Sequence, residues 1–129
     1  MPPVHCASCP FKSKCIYQLL STDQKPPLNE NKLTLSKKKG SVLYEQGNPA
    51  FSLIMVRQGV LKHCAKIGSD KNFIFEYIKQ GDLIGLASLK QNSIYLSSAI
   101  SLTEVSYCVF PNNTVLSFVK SNPAFINYF

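Results

Sequence analysis

Acidic side chains are scarce. Asp and Glu together number seven in 129 residues, and no two of them form a recognisable catalytic pair. The chain also has no Gly-rich phosphate loop, no nucleophile elbow and no recognised His–Cys arrangement. Together these absences argue against an enzyme. No apolar run approaches the roughly 20 residues of a membrane-spanning helix. The N-terminus lacks the basic region and apolar stretch of a secretory signal. The resulting expectation is a cytoplasmic protein with no membrane partner. There is no internal repeat and no low-complexity segment.

The residues that are present read as globular. Apolar residues make up 45% and charged ones 16%, the balance of a folded rather than a disordered chain. The length suits about one domain with a sizeable core. The formal net charge of +7 would suit a nucleic-acid partner. No recognisable DNA-reading element accompanies it. The dense run Lys37-Lys38-Lys39 stands just before Gly40 and is expected to be a solvated strand end at a turn.

The cysteines are unevenly placed. Their count of five is odd, which argues against a closed disulfide framework. In a reducing compartment a cysteine cluster more often binds metal or acts in redox chemistry. Cys6, Cys9 and Cys15 follow the spacing C-x2-C-x5-C beside the N-terminus. Pro2, Pro3 and Pro10 discourage regular structure there, so an irregular loop is expected. A buried cysteine acts as a small hydrophobe and needs no partners at fixed intervals, so packing does not explain the spacing. Soft thiolates favour iron–sulfur, zinc or Cu(I) over hard cations. Three readings stay open on the residues alone. One is a cluster with a fourth ligand from elsewhere. Another is a zinc site completed by His5 or Cys108, for which the five-residue gap is awkward. The last is free thiols in a tail. His5 either orients the loop or is simply solvated. Taken singly, Cys108 reads as a buried strand cysteine, Cys64 as core, and His63 as a surface or hydrogen-bonded residue.

Further along, short apolar segments recur between glycines. Ile16 to Leu20 is a short apolar piece of about one helical turn. Ser21 to Asn31 is a polar connector with Pro26-Pro27, carrying at most a helical turn near Leu28 to Asn31. Strands are expected around Leu33 and Leu35, then at Ser41–Glu45, Ser52–Arg57, Val60–Ala65, Asn72–Ile78, Ser93–Ile100 and Thr103–Phe110. A hairpin loop is expected over Ile67–Lys71. Asn112 or Asn113 caps a helix with apolar face Val115, Leu116, Phe118 and Val119. Asn122-Pro123 starts another helix, still apolar at Phe129, which suggests a truncated chain or a face that buries on a partner. The expected fold is mainly β, an antiparallel β-roll of jelly-roll type with short flanking helices. Its parts are residues 1–31 (cysteine loop and connector), 32–111 (β-roll) and 112–129 (helical segment).

Three pieces carry a resemblance: Lys39-Gly40-x-x-Leu43-Tyr44-x-x-Gly47, Ile54-x-x-x-x-Gly59-x-Leu61-Lys62, and Gly81-Asp82-Leu83-Ile84-Gly85. From about Lys32 to Phe129 the chain resembles the sensory domain of the Crp/Fnr family of bacterial transcription regulators. The resemblance implies a cyclic-nucleotide-binding-like β-roll, followed in the family by a long dimerisation helix and a helix-turn-helix DNA-binding domain. It therefore implies a homodimer through the C-terminal helix, with DNA bound only by a domain outside this chain. The cysteine spacing is similar to the N-terminal motif of the oxygen-responsive Fnr branch, whose fourth cysteine lies in a late strand where Cys108 stands. That implies a [4Fe-4S] cluster held by Cys6, Cys9, Cys15 and Cys108, which oxygen dismantles. The chain departs from the branch in a short, proline-broken connector after Cys15.

The cyclic-AMP-binding branch places a glutamate after the Gly-Asp-x-x-Gly turn and an arginine–serine pair further on. Here Leu86 takes the glutamate position, and Ser93-Ile94-Tyr95-Leu96-Ser97 holds no basic residue. A cyclic phosphate would lack its charge-assisted partner. Cyclic nucleotide is thus disfavoured, and a different small effector in the same cavity is the alternative to the cluster.

Overall fold

The structure, a computed structural model, describes residues 25–68, 71–90 and 92–121. Helix α1 (Lys25–Asn31) leads into eight strands: β1 (Leu33–Lys37), β2 (Val42–Tyr44), β3 (Ser52–Gln58), β4 (Leu61–Ile67), β5 (Lys71–Ile78), β6 (Leu83–Ile84), β7 (Ser98–Ser101) and β8 (Val105–Pro111). A 3-10 turn spans Leu86–Leu89, and helix α2 covers Asn112–Ser121. The strands form two four-stranded sheets, ordered β1-β8-β3-β6 and β2-β7-β4-β5. Every strand pairing is antiparallel. The expected jelly-roll fold is what the chain adopts. No helix among the described residues is long and apolar enough to cross a membrane.

Alternation along the strands builds the layers, because successive side chains point to opposite faces. Ile54, Val56, Leu61, Ile78, Ala99, Val105 and Tyr107 meet between the sheets and form the inner core. The other parity of β3 and β8 is buried as well. Leu53, Met55 and Phe110 are each at most 2% exposed, and Cys108 only 5%. They lie on the outer face of the first sheet. Helices α1 and α2 pack on each other and both touch β8, and Val115 of α2 is fully buried.

Several expectations need correction. Helix α1 begins at Lys25, earlier than the single turn near Leu28. Pro26 and Pro27 sit in its first turn, where a missing N–H leaves no intrahelical bond unmade. The strand expected over Ser93–Ile100 is halved, and only Ser98–Ser101 joins the sheet. Its leading part pairs instead with residues 47–50, through an isolated bridge between Pro49 and Ile94 and backbone bonds from the Ala50 N–H to the Ser93 carbonyl and from the Tyr95 N–H to the Asn48 carbonyl. The Tyr95 O–H donates to the Ser52 carbonyl at 3.0 Å, and the Tyr95 hydroxyl oxygen accepts from the Ser52 N–H at 3.2 Å. Strand β6 and the 3-10 turn, both within or just after Gly81–Gly85, were not expected. The remaining strands lie within a residue or two of the expected ones. His5, Cys6, Cys9, Cys15, the Ile16–Leu20 piece and the helix from Asn122 fall outside the described residues.

Gly59 shows why the glycine pattern is informative. It links β3 to β4 with φ +97°, a region L side chains rarely adopt. A Cβ there would overlap the Glu104 carbonyl oxygen, and would stand 2.7 Å from Val105 Cγ1 and 2.9 Å from Thr103 Oγ1.

Candidate functional site

Two places in the described residues combine chemistry with burial. One is a hollow at the edge of the inner core. Strand β6 stops at Gly85, whose φ of +84° turns the chain into the 3-10 turn. The turn, β2, β4, β5 and the Tyr95 segment then line an open cavity of about 250 Å³. Leu83, Ile84, Leu86 and Ala87 supply an apolar wall, and Tyr44, His63, Glu76 and Tyr95 the polar one. Among the described residues, those lining it include one carboxylate and no lysine or arginine.

The polar wall is a chain of hydrogen bonds. His63 and Glu76 are direct cross-strand partners in β4 and β5. His63 Nδ1 lies 2.5 Å from Glu76 Oε1, and Nε2 is hydrogen-bonded to the Tyr44 hydroxyl. A carboxylate only accepts, so the Nδ1–H donates to Glu76, and in the neutral ring Nε2 accepts from the Tyr44 O–H. Immediately beyond this pair the register shifts, so that Cys64 opposes Ile74. A bulge of this kind bends the strand and re-aims side chains. Tyr44 also stacks on Tyr95, with centroids 4.0 Å apart and planes 12° from parallel. His63 is 7% exposed and hydrogen-bonded, the second of the two readings its sequence left open.

Burial raises the Tyr44 phenol above its ordinary range, and the nearby Tyr95 and Glu76 add to this. Burial likewise raises Tyr95 and Tyr107. A raised pKa contributes stability that is fully present below the unfolded value, near pH 10, and is lost as pH climbs toward the folded value. The unfolding free energy is therefore expected to fall above about pH 10, by about 1.4 kcal/mol per pH unit for Tyr44 alone. Urea melts at about pH 9, 10 and 11, with tyrosinate absorbance recorded in parallel, check this. A flat profile would contradict it.

The other place is the outer face of the first sheet. Cys108 has Thr34 of β1 on one side and Met55 of β3 on the other, each its direct cross-strand partner. The Thr34 hydroxyl lies 3.9 Å from its sulfur. Cys108 is thus a buried strand cysteine, on the side away from the inner core. Cys64 is equally buried, at 2% exposure. It belongs to the buried core, as expected, and borders a second hollow beside Ser98 and Lys66. Neither forms a disulfide. Among the described residues no three His, Cys, Asp or Glu side chains gather around a metal-sized site. Cys6, Cys9 and Cys15 lie outside those residues.

Sequence reading singled out Cys108 and Leu86 but missed Tyr44, Glu76 and Tyr95. They come together only through β register, so no short spacing marks them. Bulky polar residues at inward positions of expected strands were the available signal.

Comparison with known proteins agrees with this architecture. Residues 34–122 match the profile of the cyclic nucleotide-binding domain. The transcriptional activator protein anr of Pseudomonas aeruginosa is 30% identical over 112 residues, covering 86% of this chain and 46% of that protein. A "Probable transcriptional activator" of Rhizobium leguminosarum bv. viciae is 25% identical over 121 residues, covering 94% and 49%. The chain thus spans about half the length of these relatives. The crystal structure of the sensor domain of the transcriptional regulator DNR from Pseudomonas aeruginosa superposes with a TM-score of 0.77 at 19% identity, covering 87% of this chain and 79% of that one. These relatives are regulators, not enzymes. With its two-sheet roll and this match over most of its length, the chain belongs to the cyclic nucleotide-binding domain family.

Proposed function

We propose that this domain receives an oxygen or redox signal through a [4Fe-4S] cluster held by Cys6, Cys9, Cys15 and Cys108, within a cytoplasmic regulator that dimerises and binds DNA through segments outside this chain. The observation that carries the reading is the position of Cys108. Its thiol is buried on the outer face of the first sheet, in the strand that α1 touches. Only nine residues separate Cys15 from Lys25 at the start of α1, a reach of up to about 33–36 Å over the ten steps. The donor set also fits, since such clusters are usually held by four cysteine thiolates drawn from near and far in sequence. When bound, the cluster would supply the redox- and oxygen-sensitive centre.

The chain's own residues do the rest. Cys108 anchors the cysteine segment to the roll. Met55 beside it limits water, and the Thr34 hydroxyl is placed to hydrogen-bond its sulfur. Releasing the four thiolates frees the segment from the roll, an order–disorder change able to act as a switch. The reading in which the roll instead takes a small effector rests on the cavity beside Tyr44, and zinc in place of the cluster is a further variant.

Anaerobic purification tests the proposal. A brown protein with about four iron and four sulfide per chain, both lost in Cys108→Ala, is the expected result. Colourless protein, or protein carrying stoichiometric zinc, would sink it.

A further inference from the structure

We infer that the cavity between the sheets is a site for a small organic cation, an amine or amidine on a single ring, and not for an anion. The family's name points to a cyclic nucleotide, and the residues here do not fit one. A bound phosphate needs a charge-assisted donor. Among the described residues the lining offers no lysine or arginine, and its one charged group is the Glu76 carboxylate. Leu86 stands at the mouth, half exposed, with no polar group to give a ribose.

The same features suit a cation. Glu76 uses Oε1 on His63, and among the described residues no protein donor is placed on Oε2. His63 is itself held by Tyr44, so the carboxylate is tethered through one oxygen while its side chain, 56% exposed, stays open to an incoming ligand. Tyr44 and Tyr95 present aromatic surface, which attracts cations. Leu83, Ile84 and Ala87 give the ring an apolar wall. The volume of about 250 Å³ is at the low end of ligand sites and suits a group of about one ring, with the rest of a ligand left at the open side.

The inference does not depend on the cluster, because Cys108 lies on the opposite face of its sheet. Benzamidine, benzylamine and cyclic AMP are titrated into the full chain and into Cys108→Ala, read by calorimetry and by amide shifts. Both cations are expected to bind, shifting Tyr44, Ala87 and Tyr95, equally in the two proteins, while cyclic AMP does not bind at matched concentrations. Glu76→Gln is expected to weaken benzamidine by about twofold to fivefold, the scale of an ion pair to a half-exposed carboxylate. Leu86→Arg, at a half-exposed position that folding tolerates, is expected to repel the cations and serves if Glu76→Gln misfolds. Cyclic AMP binding more tightly than the cations, shifts confined to other surfaces, or unchanged affinity in both variants would overturn the inference.

Discussion

Gly59→Ala is expected to cost about 3 kcal/mol or more of unfolding free energy, a large share of the stability of a marginal domain. Two penalties coincide. The backbone at φ +97° lies outside the regions comfortable for an L residue, which costs about 1–3 kcal/mol. The new methyl must also displace the Glu104 carbonyl and the side chains of Val105 and Thr103, and overpacking adds about 1–3 kcal/mol. These are not pliable neighbours. The Thr103 hydroxyl accepts from the Val60 N–H at 3.1 Å and donates to the Glu104 carbonyl at 2.8 Å. The Leu102 N–H donates to the Val60 carbonyl at 2.8 Å. The β3–β4 turn is thereby fastened to the β7–β8 turn. Gly40→Ala separates the two penalties, because Gly40 also has positive φ, +85°, yet nothing lies within 4 Å of its Cβ position. Its loss is expected to stay near about 1 kcal/mol. Denaturant midpoints at constant m-value measure both. Equal losses in the two variants would refute the steric part.

Phe110→Ala is expected to cost about 3–5 kcal/mol. The ring is 1% exposed, and truncation leaves a cavity in a face that cannot fully collapse. Phe110 follows Cys108 by two residues on the same side of β8, so the variant has a chemical consequence too. The Cys108 thiol, 5% exposed in the intact fold, should react faster with a thiol reagent under native conditions. Phe51→Ala is the control at 66% exposure, expected within about 0.5 kcal/mol of the parent. A Phe110→Ala protein with unchanged midpoint and unchanged thiol reactivity would show that this face is not the sealed layer described above.

The strands bounded by glycines were legible in the sequence because each turn demanded a residue type. Gly40, Gly59 and Gly81 all have positive φ, and the apolar runs between them had few other ways to fold. What stayed hidden had no local signature. His63 and Glu76 meet because β4 and β5 pair in one register, which residue types alone do not specify. Tyr95 lies in a run with good strand propensity, yet the backbone of that run is taken up by residues 47–50 and does not join the sheet. The two prolines of α1 pointed away from helix, although the first turn is where they are tolerated. For Cys108, the sequence located the strand. The face came only from the cross-strand partners Thr34 and Met55.

Strand β8 behaves as a party wall. Val105 and Tyr107 look into the inner core that the cavity borders, and Cys108 and Phe110 look out from the other side, all on one backbone. Because successive side chains point to opposite faces, one strand reports on two layers: a reagent for the Cys108 thiol reads the outer one, and Tyr107 absorbance the inner one.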